Sequence, residues 1–185
     1  MMNTMRLATP PPDAPCQVRI GRGPHAPVYV LEDDYYALHE VAESPMGGSP
    51  ILVLEDGAVA VFRGHPRDSA PPGPGGRAHP PRIGPVYALA PGGNLAVPTG
   101  RILVRFSPGT LAKERRTALR GVGFDIEEVL AYAPEAAWLR PATGGIGAAL
   151  RGIPALELLP GVEHVEPQML MQSAQRTQER DPHQA

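Results

Sequence analysis

The hydrophobic residues of this chain are concentrated in its second half, where their spacing predicts alternating strands and helices. Residues 101–106 alternate between two faces, as a strand with its period of two residues does: Ile102, Val104 and Phe106 form the apolar face, opposite Arg101, Leu103 and Arg105. Residues 110–122 instead repeat apolar positions about every 3.6 residues after Thr110, a good N-cap residue. This second pattern predicts a helix.

The same rules extend the alternation to the end of the chain. They predict strands at residues 124–132, 135–140 and 162–166, and a helical region at residues 145–159 that is interrupted at Pro154. The resulting order, β-α-β-β-α-β, is the split βαβ arrangement of ferredoxin-like folds. We therefore expect an α+β protein whose C-terminal ferredoxin-like domain follows a small antiparallel β region.

The first half of the chain predicts short antiparallel strands separated by turn-forming residues. Residues 51–54 and 58–62 flank Asp56 and Gly57, a hairpin signal because glycine tolerates the positive φ of a tight turn. Residues 64–85 hold many prolines and glycines and few apolar residues, which is typical of a linker. The expected division is a flexible arm, a small β region, a linker, a hairpin, the ferredoxin-like domain and a flexible tail, at residues 1–26, 27–63, 64–85, 86–98, 99–175 and 176–185.

Composition narrows the classes of function. The 185 residues include 24 prolines and 21 glycines, but 42% are hydrophobic, so a core can form where these are concentrated. A net charge of −2 disfavours a nucleic-acid binder, which needs a broad basic surface. Cys16 is the only cysteine, which excludes an intramolecular disulfide and a thiolate metal cluster. No apolar run is long enough for a secretion signal or a membrane span, so we expect a cytoplasmic protein without a membrane partner.

The motifs of common enzymes are missing or incomplete, and we expect neither catalysis nor a cofactor or metal. The chain has no Gly-x-Ser-x-Gly, and its six histidines lack the spacing of metal ligands. Residues 143–147, TGGIG, resemble the glycine-rich turn of dinucleotide-binding oxidoreductases, and Glu163 follows at the required distance. Lys113, the only lysine, belongs to no Tyr-x-x-x-Lys pair. Trp138 alone offers an aromatic surface for RNA, which is too little for an RNA-binding sheet.

Two segments resemble the propeptides of subtilisin-like serine proteases, also called I9 inhibitor domains. Residues 101–109, RILVRFSPG, resemble the opening strand and turn of these propeptides, and residues 159–167, LPGVEHVEP, resemble their closing segment. The resemblance covers about residues 100–174 and leaves out the first half. It implies a stand-alone, PopD-type inhibitor that forms a heterodimer with a subtilisin-like protease, and a possible folding chaperone of that protease.

The resemblance also implies which residues bind the protease. In the family the sheet packs on two surface helices of the enzyme, and the C-terminal tail enters the active-site cleft like a substrate. Glu166 matches an acidic position near a protease helix N-terminus, where free N–H groups favour an anion. Gln168 stands where some members carry Asp. The residues implied to occupy the cleft are Met171, in a large apolar pocket, Gln172, Ser173 and Ala174, the last nearest the catalytic serine.

The alternative is a non-inhibitory, β-rich interaction or scaffold module for a partner enzyme. The two hypotheses differ in the role of the tail. An inhibitor is expected to lose potency when residues 168–185 are removed, or when Met171→Asp places a charge in a desolvated apolar pocket. A scaffold that binds through a sheet face is not.

Overall fold

A computed structural model of the protein describes residues 13–21, 23–39, 49–55, 58–64 and 82–172. Within these residues 49% of the chain lies in strands and 18% in helices. The strands of the first half are β1 Gln17–Arg19, β2 Val28–Leu31, β3 Tyr35–His39, β4 Leu52–Leu54, β5 Val59–Arg63, β6 Arg82–Gly84 and β7 Tyr87–Leu89. The second half contains β8 Leu95–Phe106, α1 Arg116–Gly121, β9 Phe124–Leu130, β10 Ala133–Pro141, α2 Ile146–Glu157 and β11 Val162–Met171.

These strands form two antiparallel sheets. The larger sheet has seven strands in the order β1-β2-β7-β8-β10-β9, with β11 also paired to β8, and it curls into a half-barrel. The smaller sheet has the order β4-β5-β3-β6. Strand β8 is the centre of the larger sheet, because β11 pairs with it from Ala96 to Phe106 along one edge. Along its other edge β8 pairs first with β7 and then with β10.

One hydrophobic core joins both halves of the chain. The apolar side chains of β8 that sequence alternation assigned to one face, Ile102, Val104 and Phe106, are at most 1% exposed. They belong to the same buried cluster as Tyr29 and Tyr87 from the first half. Helix α2 packs on this face of β8 and β11 and contributes Ile146, Ala149, Leu150, Ile153 and Leu156. The first half is therefore part of the main folding unit.

The smaller sheet covers the opposite face of the larger sheet at one end only. Val97, near the start of β8, is fully buried in a cluster with Ala37, Val59 and Val61 of the smaller sheet. Leu170, near the end of β11, packs against the same cluster. Toward Phe106, among the residues that the structure describes, this face of the larger sheet carries neither the smaller sheet's cluster nor α2. We call that part the helix-free face.

The expected α+β fold with a C-terminal ferredoxin-like domain is wrong. The described chain is mostly β, and the C-terminal strands belong to a curled sheet that also contains β1, β2 and β7. The physical reason lies at residues 98–100, which look like a strand boundary because they include Pro98 and Gly100. Gly100 adopts φ 88°, and the pairing of β11 with β8 shifts register there, so the strand bulges and continues.

The helix expected at residues 110–122 is also much shorter than its pattern predicts. A 3-10 turn covers Ala112–Arg115, and α1 covers only Arg116–Gly121. Leu111 precedes the turn without a side-chain cap, while Thr110 bonds back to Ser107 through its backbone N–H. The missing cap leaves the first turn without the hydrogen bonds that favour a regular helix start.

Some of the observed elements lie within segments that the sequence predicts to be an arm or a linker. Part of the arm forms β1, and the end of the linker forms β6. The small β region is divided, since β2 joins the larger sheet and β3–β5 the smaller one. The predicted pairing of residues 51–54 with residues 58–62 is confirmed by β4 and β5. Residues 176–185, the segment expected to be a flexible tail, lie outside the described residues. Within the described residues no helix is long and apolar enough to cross a membrane.

Candidate protein-binding face

The helix-free face is built from three neighbouring strands, β10, β8 and β11. Leu103 of β8 lies between Trp138 of β10 and Glu166 of β11, its direct cross-strand partners. Side chains of directly opposed residues share one face of an antiparallel sheet. The residues of the helix-free face are this row and its immediate neighbours, namely Arg101, Leu103, Arg105, Trp138, His164 and Glu166.

The face combines an apolar centre with a charged surround. Leu103 and Trp138 are each half-buried, while Arg105 and Glu166 are largely exposed. The Arg105 guanidinium lies 3.9 Å from the Glu163 carboxylate in an exposed ion pair. A half-exposed Leu and Trp within a polar rim is the composition that protein interfaces favour at their centres.

Arg101 fixes the orientation of the tryptophan. Its guanidinium lies 4.8 Å from the centre of the Trp138 ring, which is cation–π distance. Its Nε is 2.8 Å from Glu127 and its Nη2 is 3.4 Å from Glu128. Both acids reach the same arginine because β9 bulges at this point, where its pairing with β10 shifts register. The Trp138 ring is therefore held in place before any partner binds.

Glu166 projects from β11 at the edge of this face. Its Oε2 lies 3.0 Å from Nε2 of His164, and the Glu166 side chain is 48% exposed. About half of the Glu166 side-chain surface therefore remains accessible to a partner. The sequence resemblance assigns Glu166 to a protease helix N-terminus, and its position on an exposed sheet face is compatible with such a contact.

The side chain of Gln168 is hydrogen-bonded to a neighbouring strand of its own sheet. Its Oε1 accepts a hydrogen bond of 2.9 Å from the Thr99 hydroxyl, and the same hydroxyl accepts a 3.1 Å bond from the Arg101 backbone N–H. These bonds satisfy the backbone where β8 bulges next to Gly100. Gln168 thus supports the bulge beside the helix-free face.

The implied cleft-binding residues start inside a strand. Met171 is the last residue of β11, pairs with Ala96 of β8 and is 43% exposed. The Tyr29 hydroxyl donates a hydrogen bond of 3.8 Å to its Sδ. Burial, and then the charge of Glu166, raise the pKa of Tyr29 above its ordinary value of 10.0, so this hydroxyl keeps its proton to a higher pH than an exposed tyrosine does. Gln172 follows as an exposed residue, while Ser173 and Ala174 lie outside the described residues.

No sequence pattern identifies Leu103, Trp138 and Arg101 as one group. The alternation of residues 101–106 did place Leu103 between two arginines on the face opposite the core. An apolar residue there is the signal for a partner surface, but it becomes informative only when Trp138 is known to be its neighbour across the sheet. That pairing depends on the register of β8 with β10.

The glycine-rich turn at residues 143–147 does not lie in a dinucleotide-binding unit. It leads into α2, but every strand pair among the described residues is antiparallel, whereas that motif needs a parallel βαβ unit. Nor do the described residues bring together three or more His, Cys, Asp or Glu that could hold a metal ion. We found no match to the chain among protein-family models, curated proteins or solved structures.

Proposed function

We propose that the protein is a trans-acting inhibitor of a subtilisin-like serine protease in the cytoplasm, and that it docks through the helix-free face. The observation that carries this proposal is the row Glu166, Leu103 and Trp138, which presents an apolar centre and an accessible carboxylate on one sheet face. Two helices of a protease surface fit a sheet face of this kind, with Leu103 and Trp138 between them.

The position of the tail supports the proposal that the protein inhibits the protease to which it binds. Strand β11 carries Glu166 on the helix-free face, and the chain beyond its last residue, Met171, continues as the tail. Docking of the face therefore brings the tail close to the partner. An extended peptide can then pair with the backbone that lines a protease cleft, and pockets select its side chains. The same contacts would support folding of the protease, because they stabilise its native surface.

The alternative, a scaffold module without inhibition, uses the same face. A stable interface buries about 800 Å² on each partner, and a face centred on Leu103 and Trp138 can contribute to such an area with or without a tail contact. Only the contribution of the tail separates the two functions.

The test measures binding and inhibition separately for a panel of subtilisin-like proteases, including any protease encoded beside this chain. Truncation after Gln172 leaves β11 complete, whereas removal of residues 168–185 would also delete the end of the strand. The truncated chain is expected to bind the protease but to inhibit it at least about tenfold less, because the cleft contacts are lost.

A face variant, Leu103→Asp, is expected to lose both binding and inhibition, because a charge would be buried without a partner at the interface centre. Val53→Asp is the matched control: Val53 is 53% exposed on β4 of the smaller sheet, and its replacement should change neither quantity. Binding without inhibition by the full chain would favour the scaffold. Absence of binding to every protease would contradict both functions for this partner class.

A further inference from the structure

We propose that the first half of the chain clamps the base of the tail, so that entry into a protease cleft starts at Gln172 and not at Met171. This inference rests on the proposed function and gives a role to the strands that precede β8. The base of the tail is defined here as Met169–Met171, the last three residues of β11.

Pairing with β8 holds the backbone of this segment. Met169, Leu170 and Met171 lie opposite Pro98, Val97 and Ala96 respectively. Val97 and Ala96 are fully buried, and β8 pairs at Ala96 with Tyr87 of β7 on its other side. The base of the tail is thus one strand of a continuous sheet whose next members, β7 and β2, come from the first half.

Side chains fix the same segment from both faces. Met169 packs against the main core, and Leu170 packs against the cluster that includes Val59 and Val61 of the smaller sheet. Tyr29 of β2, itself 6% exposed, donates its hydroxyl hydrogen to the Met171 sulfur. Met171 thus contacts β2, while Met169 and Leu170 pack against clusters to which elements other than β8 contribute.

This arrangement changes the role expected for Met171. To fill an apolar pocket of a protease, its side chain would have to leave Tyr29 and its backbone would have to separate from Ala96. A side chain already engaged in the free protein is an anchor, and an anchored base reduces the conformational entropy that the tail loses on binding. Met171 is a positioning residue in this proposal, and the residues that enter the cleft follow it.

The experiment compares hydrogen exchange of the Met169–Met171 amides in the full chain and in three variants. Tyr29→Phe removes the hydroxyl, Met171→Leu replaces the sulfur acceptor by an apolar side chain of similar volume, and the third variant combines them. Each single change is expected to raise exchange about two- to fivefold, as loss of one weak hydrogen bond would. The double variant should exchange no faster than the faster single variant, because both changes remove the same contact.

Tyr132→Phe is the matched control, since Tyr132 is 86% exposed in the turn between β9 and β10 and the same chemical change there should leave these amides unaffected. Unchanged exchange in both single variants, or additive effects in the double variant, would overturn the clamp. This readout needs no protease, so it decides the clamp even if the proposed inhibition fails.

The functional readout is inhibition of a protease that the full chain inhibits. Tyr29→Phe should weaken inhibition by the same factor by which it raises exchange, although in this proposal Tyr29 does not itself enter the cleft. Met171→Leu should weaken it equally. If Met171 filled a protease pocket instead, Met171→Leu would change the preference among proteases while Tyr29→Phe would have no effect, and the clamp would be wrong.

Discussion

Gly152 lies in α2 where the helix crosses the ring of Phe124. A methyl group added at this glycine would come within 2.4 Å of the Phe124 ring, which is itself only 2% exposed. Neither the helix backbone nor the Phe124 ring can move freely, because Phe124 is the first residue of β9 and is packed in the main core. The glycine is there to allow close packing of the helix on the sheet.

We expect Gly152→Ala to lower the free energy of unfolding by up to about 2 kcal/mol. Overpacking of a core costs about 1–3 kcal/mol, and alanine regains up to about 1 kcal/mol of helix propensity. Urea denaturation followed by circular dichroism measures the difference.

Gly121→Ala is the control for this change. Gly121 ends α1, and a methyl group there meets no atom within 4 Å. Its replacement should be neutral or stabilising by up to about 1 kcal/mol, because only helix propensity changes. Equal destabilisation of both variants would show that contact with Phe124 is not the cause.

At the scale of elements, β11 has two functions along its length. Its first part presents His164 and Glu166 on the helix-free face, and its last part packs Met169 and Leu170 into two hydrophobic clusters. A truncation within β11 can therefore lower the stability of the fold as well as remove residues of the proposed binding face, depending on the residue at which the chain ends.

We expect truncation after Pro167 to lower the free energy of unfolding by about 2–4 kcal/mol, because two partly buried apolar side chains and their strand pairing are lost. Truncation after Gln172 should leave stability unchanged. Thermal unfolding of the two shortened chains beside the full chain measures this. A Pro167 truncation as stable as the full chain would contradict the packing of Met169 and Leu170.

The elements also show which parts of the fold can be predicted from sequence patterns. Alternation located the strands at residues 101–106 and 162–166. One face of each strand is buried, and apolar residues therefore recur at every second position. It did not locate the start of β8, since Pro98 and Gly100 suggest a break and only the register with β11 shows a bulge. The tail residues were assigned by resemblance alone, whereas the face around Leu103 needed a cross-strand neighbour that no local pattern specifies.

At the scale of the whole molecule, two buried tyrosines of the first half belong to the core that both halves share. The Tyr87 hydroxyl donates a hydrogen bond of 2.8 Å to the Pro15 carbonyl, and Tyr87 and Tyr29 belong to the main core. Burial raises the pKa of both hydroxyls above the ordinary value of 10.0. The folded chain therefore binds these protons more tightly than the unfolded chain does.

This difference in proton binding determines the direction in which the free energy of unfolding changes with pH. The contribution of the two tyrosines is fully present below about pH 10, the pKa of an unfolded tyrosine, and is lost as pH rises above it. We expect the free energy of unfolding to be flat with respect to these groups from pH 8 to 9 and to fall between pH 10 and 11, as measured by urea denaturation.

Tyr87→Phe tests the cause of this fall. It removes one ionisable group and one hydrogen bond, so the variant should be less stable at pH 8 but should lose less stability between pH 10 and 11. An unchanged slope would assign the alkaline loss to other groups.

The pairing of β2 with β7 and of β3 with β6 has a consequence for a cleaved chain. Both pairings join residues before position 65 to residues after position 81. A protease that cut the polypeptide once between these positions would produce two fragments that remain associated through both sheets and the shared core. A nick there would leave the strands of the helix-free face assembled, so in the proposed complex such a cut alone would not release the partner.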